Sequence, residues 1–99
     1  MVVIGGKFKV KPEFKDELIA MSNALIAPSL EEVGCISYGF YEDKTNPGQF
    51  LFFEEWKSRE DIAQHFETSY FNDFAARFPD MIEGEASIKI YHVSEVETV

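Results

Sequence analysis

Hydrophobic and polar positions along this chain recur with two different periods, and the switches between them divide it into six stretches. Val2 to Val10 ends in strict alternation, Phe8 and Val10 against Lys7 and Lys9, which predicts a first strand. Phe14, Leu18, Met21 and Leu25 then recur at helical spacing, and Ile26 and Leu30 extend the stripe. Pro12 suits a first helical turn, and Glu13 and Asp16-Glu17 suit the positive end of a helix dipole. These residues predict a helix from Pro12 to Glu31, kinked or divided in its last turn by Pro28. Gly34 ends it, and Cys35 to Glu42 reads as a second strand with Ile36, Tyr38 and Phe40 on one face. Asp43 to Gly48 has the composition of a hairpin loop. Gln49 to Lys57 predicts a third strand, with Phe50, Phe52 and Trp56 on one face and Leu51 and Phe53 on the other. Ser58 as N-cap and Asp61 three residues on resemble a capping box, followed by Ile62 and Phe66 on a helical face. Thr68-Ser69 predicts a second cap and a helix through Phe71, Phe74 and Phe78 that Pro79 stops. Ala86, Ile88 and Ile90 alternate with Ser87, Lys89 and Tyr91 in a last strand.

The order β-α-β-β-α-β predicts an α+β, ferredoxin-like domain, with both helices on one face of an antiparallel sheet. A sheet face in water would carry polar residues at alternate positions. The third strand instead runs Phe50-Leu51-Phe52-Phe53 before Glu54, apolar on both faces. Helices can cover only one of them. The other predicts a second sheet from a second copy, so the expected unit is a homodimer.

Length and composition sharpen this picture. The 99 residues suffice for one domain, 1–99, and not for two cores. Ten of them are Phe, a large aromatic load for so small an interior, which again asks for a second place of burial. Eighteen Asp plus Glu against nine Lys plus Arg give a formal net charge of −9. That field repels nucleic acid and anionic membrane surfaces, so neither is an expected partner. Met1 to Lys7 lacks the charged start and long apolar run of a signal peptide, and no apolar segment could cross a bilayer, so the cytoplasm is the expected location. The single cysteine, Cys35, forms no intramolecular disulfide and has no cationic sequence neighbour to lower its pKa. It reads as a small buried hydrophobe rather than a nucleophile.

Three groups of residues carry a family resemblance over essentially the whole chain: Glu32-Val33-Gly34-Cys35-Ile36-Ser37-Tyr38, then Phe52-Phe53-Glu54-Glu55-Trp56, then His65 with Ser69-Tyr70-Phe71. Their order and spacing resemble the antibiotic biosynthesis monooxygenase family, with its acidic-Pro-Gly-Cys-x-x-Tyr run, Glu-x-Trp, and a His about nine residues on. Val33 stands where the usual Pro would be. The resemblance implies a dimeric α/β barrel, two ferredoxin-like sheets packed face to face, the C-terminal strand often crossing to the partner. Its members include cofactor-free oxygenases of quinols and aromatic polyketides, haem-degrading proteins and an isomerase of signalling molecules, so the substrate stays open. Haem degraders place an Asn on the first strand; here that stretch is Gly5-Gly6-Lys7.

Candidate catalytic residues are His65, Trp56 and Glu54. The resemblance implies that His65 faces a cavity between helices and sheet, as a general base or a hydrogen-bond donor. Asp61, four residues earlier, could orient it. The competing reading is a structural His bonded to backbone. Trp56 offers a flat wall and an indole donor, or simply core; Glu54 offers a base or a partner for His65, or a structural carboxylate. Tyr38, Phe52, Phe66, Tyr70, Phe71 and Phe74 are candidate substrate-lining residues, each also compatible with plain core. Neither His65 nor His92 has His or Cys at ligand spacing, and Gly5-Gly6 is no dinucleotide fingerprint, so no metal or cofactor is expected. The expected activity is a cofactor-independent monooxygenase acting on a small aromatic or quinol-type substrate. The alternatives are a non-catalytic dimeric domain that binds a small metabolite, and an isomerase of a small oxygenated metabolite.

Overall fold

The computed structural model describes residues 1–99 as two layers, a four-stranded antiparallel sheet and a helical layer on one of its faces. Strand β1 spans Val2–Val10, β2 Cys35–Glu42, β3 Gln49–Trp56 and β4 Ile82–His92, in the spatial order β2-β3-β1-β4. A 3-10 turn, Pro12–Phe14, leads into α1 (Lys15–Asn23) and α2 (Ile26–Glu31); α3 (Arg59–His65) and α4 (Ser69–Met81) connect β3 to β4. This is the α+β, ferredoxin-like arrangement that the periodicity predicts. The sheet is open, with β2 and β4 at its edges.

The alternation sets the core. Val2, Ile4, Phe8 and Val10 of β1 are buried with Phe50, Phe52 and Trp56 of β3, against Leu18, Leu25, Ile62, Phe74 and Met81 from the helices. Both predicted caps form: Ser58 Oγ accepts the Asp61 N–H at 3.2 Å, and Thr68 Oγ1 accepts the Phe71 N–H at 3.4 Å.

Four expectations are corrected. The long first helix divides at Ala24-Leu25, one turn before Pro28. A proline lacks the N–H that would bond the carbonyl four residues back, here Ala24, and its ring crowds that carbonyl. Pro28 itself sits in the first turn of α2, where an N–H has no intrahelical partner. Ile36 is exposed and does not share the inner face with Tyr38, because the β2–β3 register shifts between Cys35 and Ser37. Helix α4 continues past Pro79 to Met81, whose side chain is fully buried and whose carbonyl accepts the Lys11 N–H at 2.9 Å. Finally, β4 begins at Ile82, four residues before Ala86. A register shift opposite Lys7–Lys9, with Gly84 at φ +65°, bends this strand along β1.

The two sheet faces differ in kind. Val3, Leu51, Phe53, Tyr41 and Tyr91 lie on the face that carries no helices, with Tyr41 57%, Tyr91 51% and Phe53 41% exposed. The Tyr91 ring covers Gly5 and the Tyr41 ring covers Gly39, which keeps that face flat and aromatic.

Candidate active site

The odd-numbered and even-numbered positions of β3 diverge at its end: Phe52, Glu54 and Trp56 all point to the helical layer and are buried. Glu54 stands mid-sheet, opposite Tyr38 of β2 on one side and Ile4 of β1 on the other. Above it lies a cavity of about 160 Å³ between the sheet and the helices. Eleven of its thirteen wall residues are hydrophobic, among them Phe8, Phe52, Phe66, Phe71, Phe74 and Phe78, and Glu54 is the one carboxyl among them. Of the wall residues Ile88 of β4, on the edge strand, is the most exposed, at 59%.

The carboxyl of Glu54 accepts the Trp56 indole N–H at Oε1, 3.0 Å away. Burial pushes its pKa up, the indole bond partly opposes this, and the negative charge of Glu32 adds to it, so the group titrates at about 7 instead of in the usual carboxylate range. The same burial and the Glu54 charge raise the Tyr38 hydroxyl far beyond its ordinary value. Cys35 rises to about 11 through burial and then through Glu54 and Glu32, which keeps it a protonated thiol.

His65 is fully buried at the end of α3, its ring 4.7 Å from the Trp56 ring and 5.1 Å from Phe71. It does not reach the cavity wall. Its Nδ1 pairs with Glu32 Oε2 at 2.7 Å, and Nε2 is enclosed without a hydrogen-bond partner. The expected orienting group, Asp61, instead accepts a hydrogen bond from the Ser58 hydroxyl at 2.8 Å. Glu32 also accepts the Tyr70 hydroxyl, so one carboxylate at the end of α2 joins the end of α3 to the start of α4. Burial raises Tyr70 to about 12, and its bond to Glu32 adds to this.

Of the residues singled out from sequence, Glu54, Tyr38, Phe52, Phe66, Phe71 and Phe74 meet around the cavity, while Trp56, His65 and Tyr70 stand behind its wall. Glu32 and Gly6 were not among the candidates. Glu32 lies inside the acidic-x-Gly-Cys run, which was the available signal; a glycine in a strand leaves no side-chain pattern to read. No group of three His, Cys, Asp or Glu is placed to hold a metal ion, and no helix is long and apolar enough to cross a membrane.

A helix-covered antiparallel sheet with an aromatic cavity between its two layers defines a ferredoxin-like domain of the split βαβ type. The chain belongs to the antibiotic biosynthesis monooxygenase family, which it matches over residues 1–77. It is 48% identical to the protein sll1783 of Synechocystis sp. over 98 residues, 99% of this chain and 67% of that one. A crystal structure of a conserved protein from Methanosarcina mazei shares 32% identity and superposes with a TM-score of 0.86, over 91% of this chain and 89% of that chain. The structure of Rv0793 from Mycobacterium tuberculosis shares the fold at a TM-score of 0.92 and 23% identity, covering 98% of each.

Proposed function

We propose that this protein is a cofactor-independent monooxygenase that oxidises a small, uncharged aromatic or quinol-type substrate in the cavity above Glu54. One observation carries the reading: a carboxyl that titrates at about 7 stands in an otherwise aromatic and aliphatic chamber. A base poised near neutrality is what proton abstraction from a phenol or quinol needs. The resulting anion is electron-rich enough to reduce dioxygen itself. One oxygen atom enters the ring, the other leaves as water, and all four electrons come from the substrate: a quinol becomes a hydroxyquinone. The Trp56 indole holds Oε1, leaving Oε2 to take the proton. The surrounding rings keep competing water out.

A second reading makes His65 the base, and it is favoured by the unpartnered Nε2. Glu32 on Nδ1 would fix the tautomer whose Nε2 carries the lone pair. The experiment that separates the two is oxygen uptake by chelator-treated protein supplied with hydroquinones. Uptake abolished in Glu54→Gln and retained in His65→Ala supports Glu54; the reverse pattern supports His65. Binding without uptake contradicts both and leaves a sequestering domain, while a rearranged product with no oxygen consumed indicates the isomerase.

The same reading has the protein work as a cytoplasmic homodimer. The exposed aromatic face of Tyr41, Phe53 and Tyr91 supports a second copy there, two open sheets closing on each other as a dimeric α/β barrel.

A further inference from the structure

We infer that Gly6 is the seat of the substrate ring, and that Gly6 and Glu54 together form a subsite for a single uncharged ring that presents one free hydroxyl to Glu54. This deepens the monooxygenase reading and rests on it for the reaction, though not for the binding. Gly6 shares the inner face of β1 with Ile4 and Phe8, and it lines the cavity. A Cβ there would meet only Ile88 Cγ1 and Phe52 Cβ, both at 3.8 Å, and its φ is not positive. The backbone therefore does not demand glycine at this position. What glycine supplies is space: any larger side chain would stand in the chamber where a ligand lies.

The register fixes what that space is next to. Gly6 pairs with Phe52 and Ile4 pairs with Glu54, so Gly6 and Glu54 are diagonal neighbours on one face. Diagonal positions lie roughly 7–8 Å apart. A ring lying flat on the Gly6 backbone, between Phe52 and Ile88, spans that interval with one hydroxyl and one hydrogen bond to Glu54. The volume agrees: the chamber holds about 160 Å³, and an apolar cavity of about 150 Å³ accommodates one benzene ring. Charge adds a second filter, because no Lys, Arg or His lines the wall, and Glu54 would face any anionic substituent.

Calorimetric titration at pH 8 with three probes tests this: p-cresol, its methyl ether 4-methylanisole, and 4-hydroxybenzoate. The wild-type chain is expected to bind p-cresol at least about tenfold more tightly than either of the others, the range that one hydrogen bond to a charged group supports. Gly6→Val fills the seat with a strand-favouring side chain and is expected to weaken p-cresol by about tenfold or more, with far-UV circular dichroism unchanged. Gly6→Ala gives a smaller loss and carries the test if the valine variant does not fold. In Glu54→Gln the amide oxygen keeps the Trp56 bond and a nitrogen donor faces the chamber, so the preference for p-cresol over its ether disappears. The inference is overturned if folded Gly6→Val binds p-cresol as well as wild type, or if wild type binds the phenol and its ether equally. Oxygen uptake with hydroquinone separates this inference from the monooxygenase reading. A wild type that binds p-cresol but consumes no oxygen with hydroquinone contradicts the oxygenase and leaves the subsite, whereas uptake indifferent to Gly6→Val contradicts the subsite alone.

Discussion

Glu54 is the residue on which stability and chemistry pull in opposite directions. Its folded pKa lies at about 7, above its value of 4.5 in the unfolded chain. The folded state therefore holds the proton more tightly, and between those two values it keeps a proton that the unfolded chain has released. Stability contributed by this group is fully present below about pH 4.5 and is lost as pH rises to about 7. Glu54→Gln removes that loss while leaving an oxygen for the Trp56 indole. Chemical denaturation at pH 8 should find the variant more stable than wild type by up to ~3 kcal/mol, with the difference shrinking toward pH 4. A difference independent of pH would mean that burial does not raise this carboxyl. Behind the wall, Tyr70→Phe deletes one of the two groups that Glu32 accepts, and a loss of about 1.5–3 kcal/mol is expected, the scale of a hydrogen bond to a charged acceptor.

At the scale of elements, the junction between β2 and α3 is the least forgiving place in the chain. A Cβ on Gly34 would overlap the Asp61 side chain, and the Gly34 carbonyl accepts the Lys57 N–H at 2.8 Å. Gly34→Ala must push the first turn of α3 away from the sheet, and His65 with it; thermal unfolding should show a loss of at least about 2 kcal/mol. Asp61→Gly removes both the Cβ and the carboxyl that this Cβ would meet, at the cost of the Ser58 hydroxyl bond, so the double variant should lose less than the two single losses summed. The elements themselves were legible because their periods differ. Phe8 and Val10 against two lysines, or Phe14 to Leu25 at steps of four, three and four, leave little room for another reading. The break in the first helix falls one turn before Pro28 because a proline acts on the carbonyl four residues before it. Ile36 departs from the expected face because an extra residue in β2 flips its side chain without altering the alternation. The site was legible where a face is shared locally, as for Phe52, Glu54 and Trp56. The pairing of Glu32 with His65 was not, since 33 residues separate them and only the folded chain brings the end of α2 to the end of α3. Gly6 left no trace because its contribution is the absence of a side chain.

At the scale of the whole molecule, the exposed face of Tyr41, Phe53 and Tyr91 has to be reconciled with a net charge of −9. Like-charged copies repel at long range, so burial of whole sheet faces must outweigh that repulsion. The proposed dimer therefore requires an interface on the order of 2,000 Å². Sedimentation velocity at micromolar concentration should show a dimer, and Phe53→Glu should yield a monomer; a wild-type monomer would contradict the paired sheets. Low salt should weaken the dimer, because screening of the acidic surfaces is then lost. The exposed aromatic face and the cavity occupy opposite faces of one sheet, so the monomeric variant should retain ligand binding in the chamber. The most direct test of the account is the pH dependence of oxygen uptake by chelator-treated protein, with hydroquinone as substrate. The account predicts that kcat/KM rises as pH passes through about 7, and that Glu54→Gln abolishes both the rise and most of the rate. A wild-type rate without that inflection, or one that Glu54→Gln leaves intact, would contradict it.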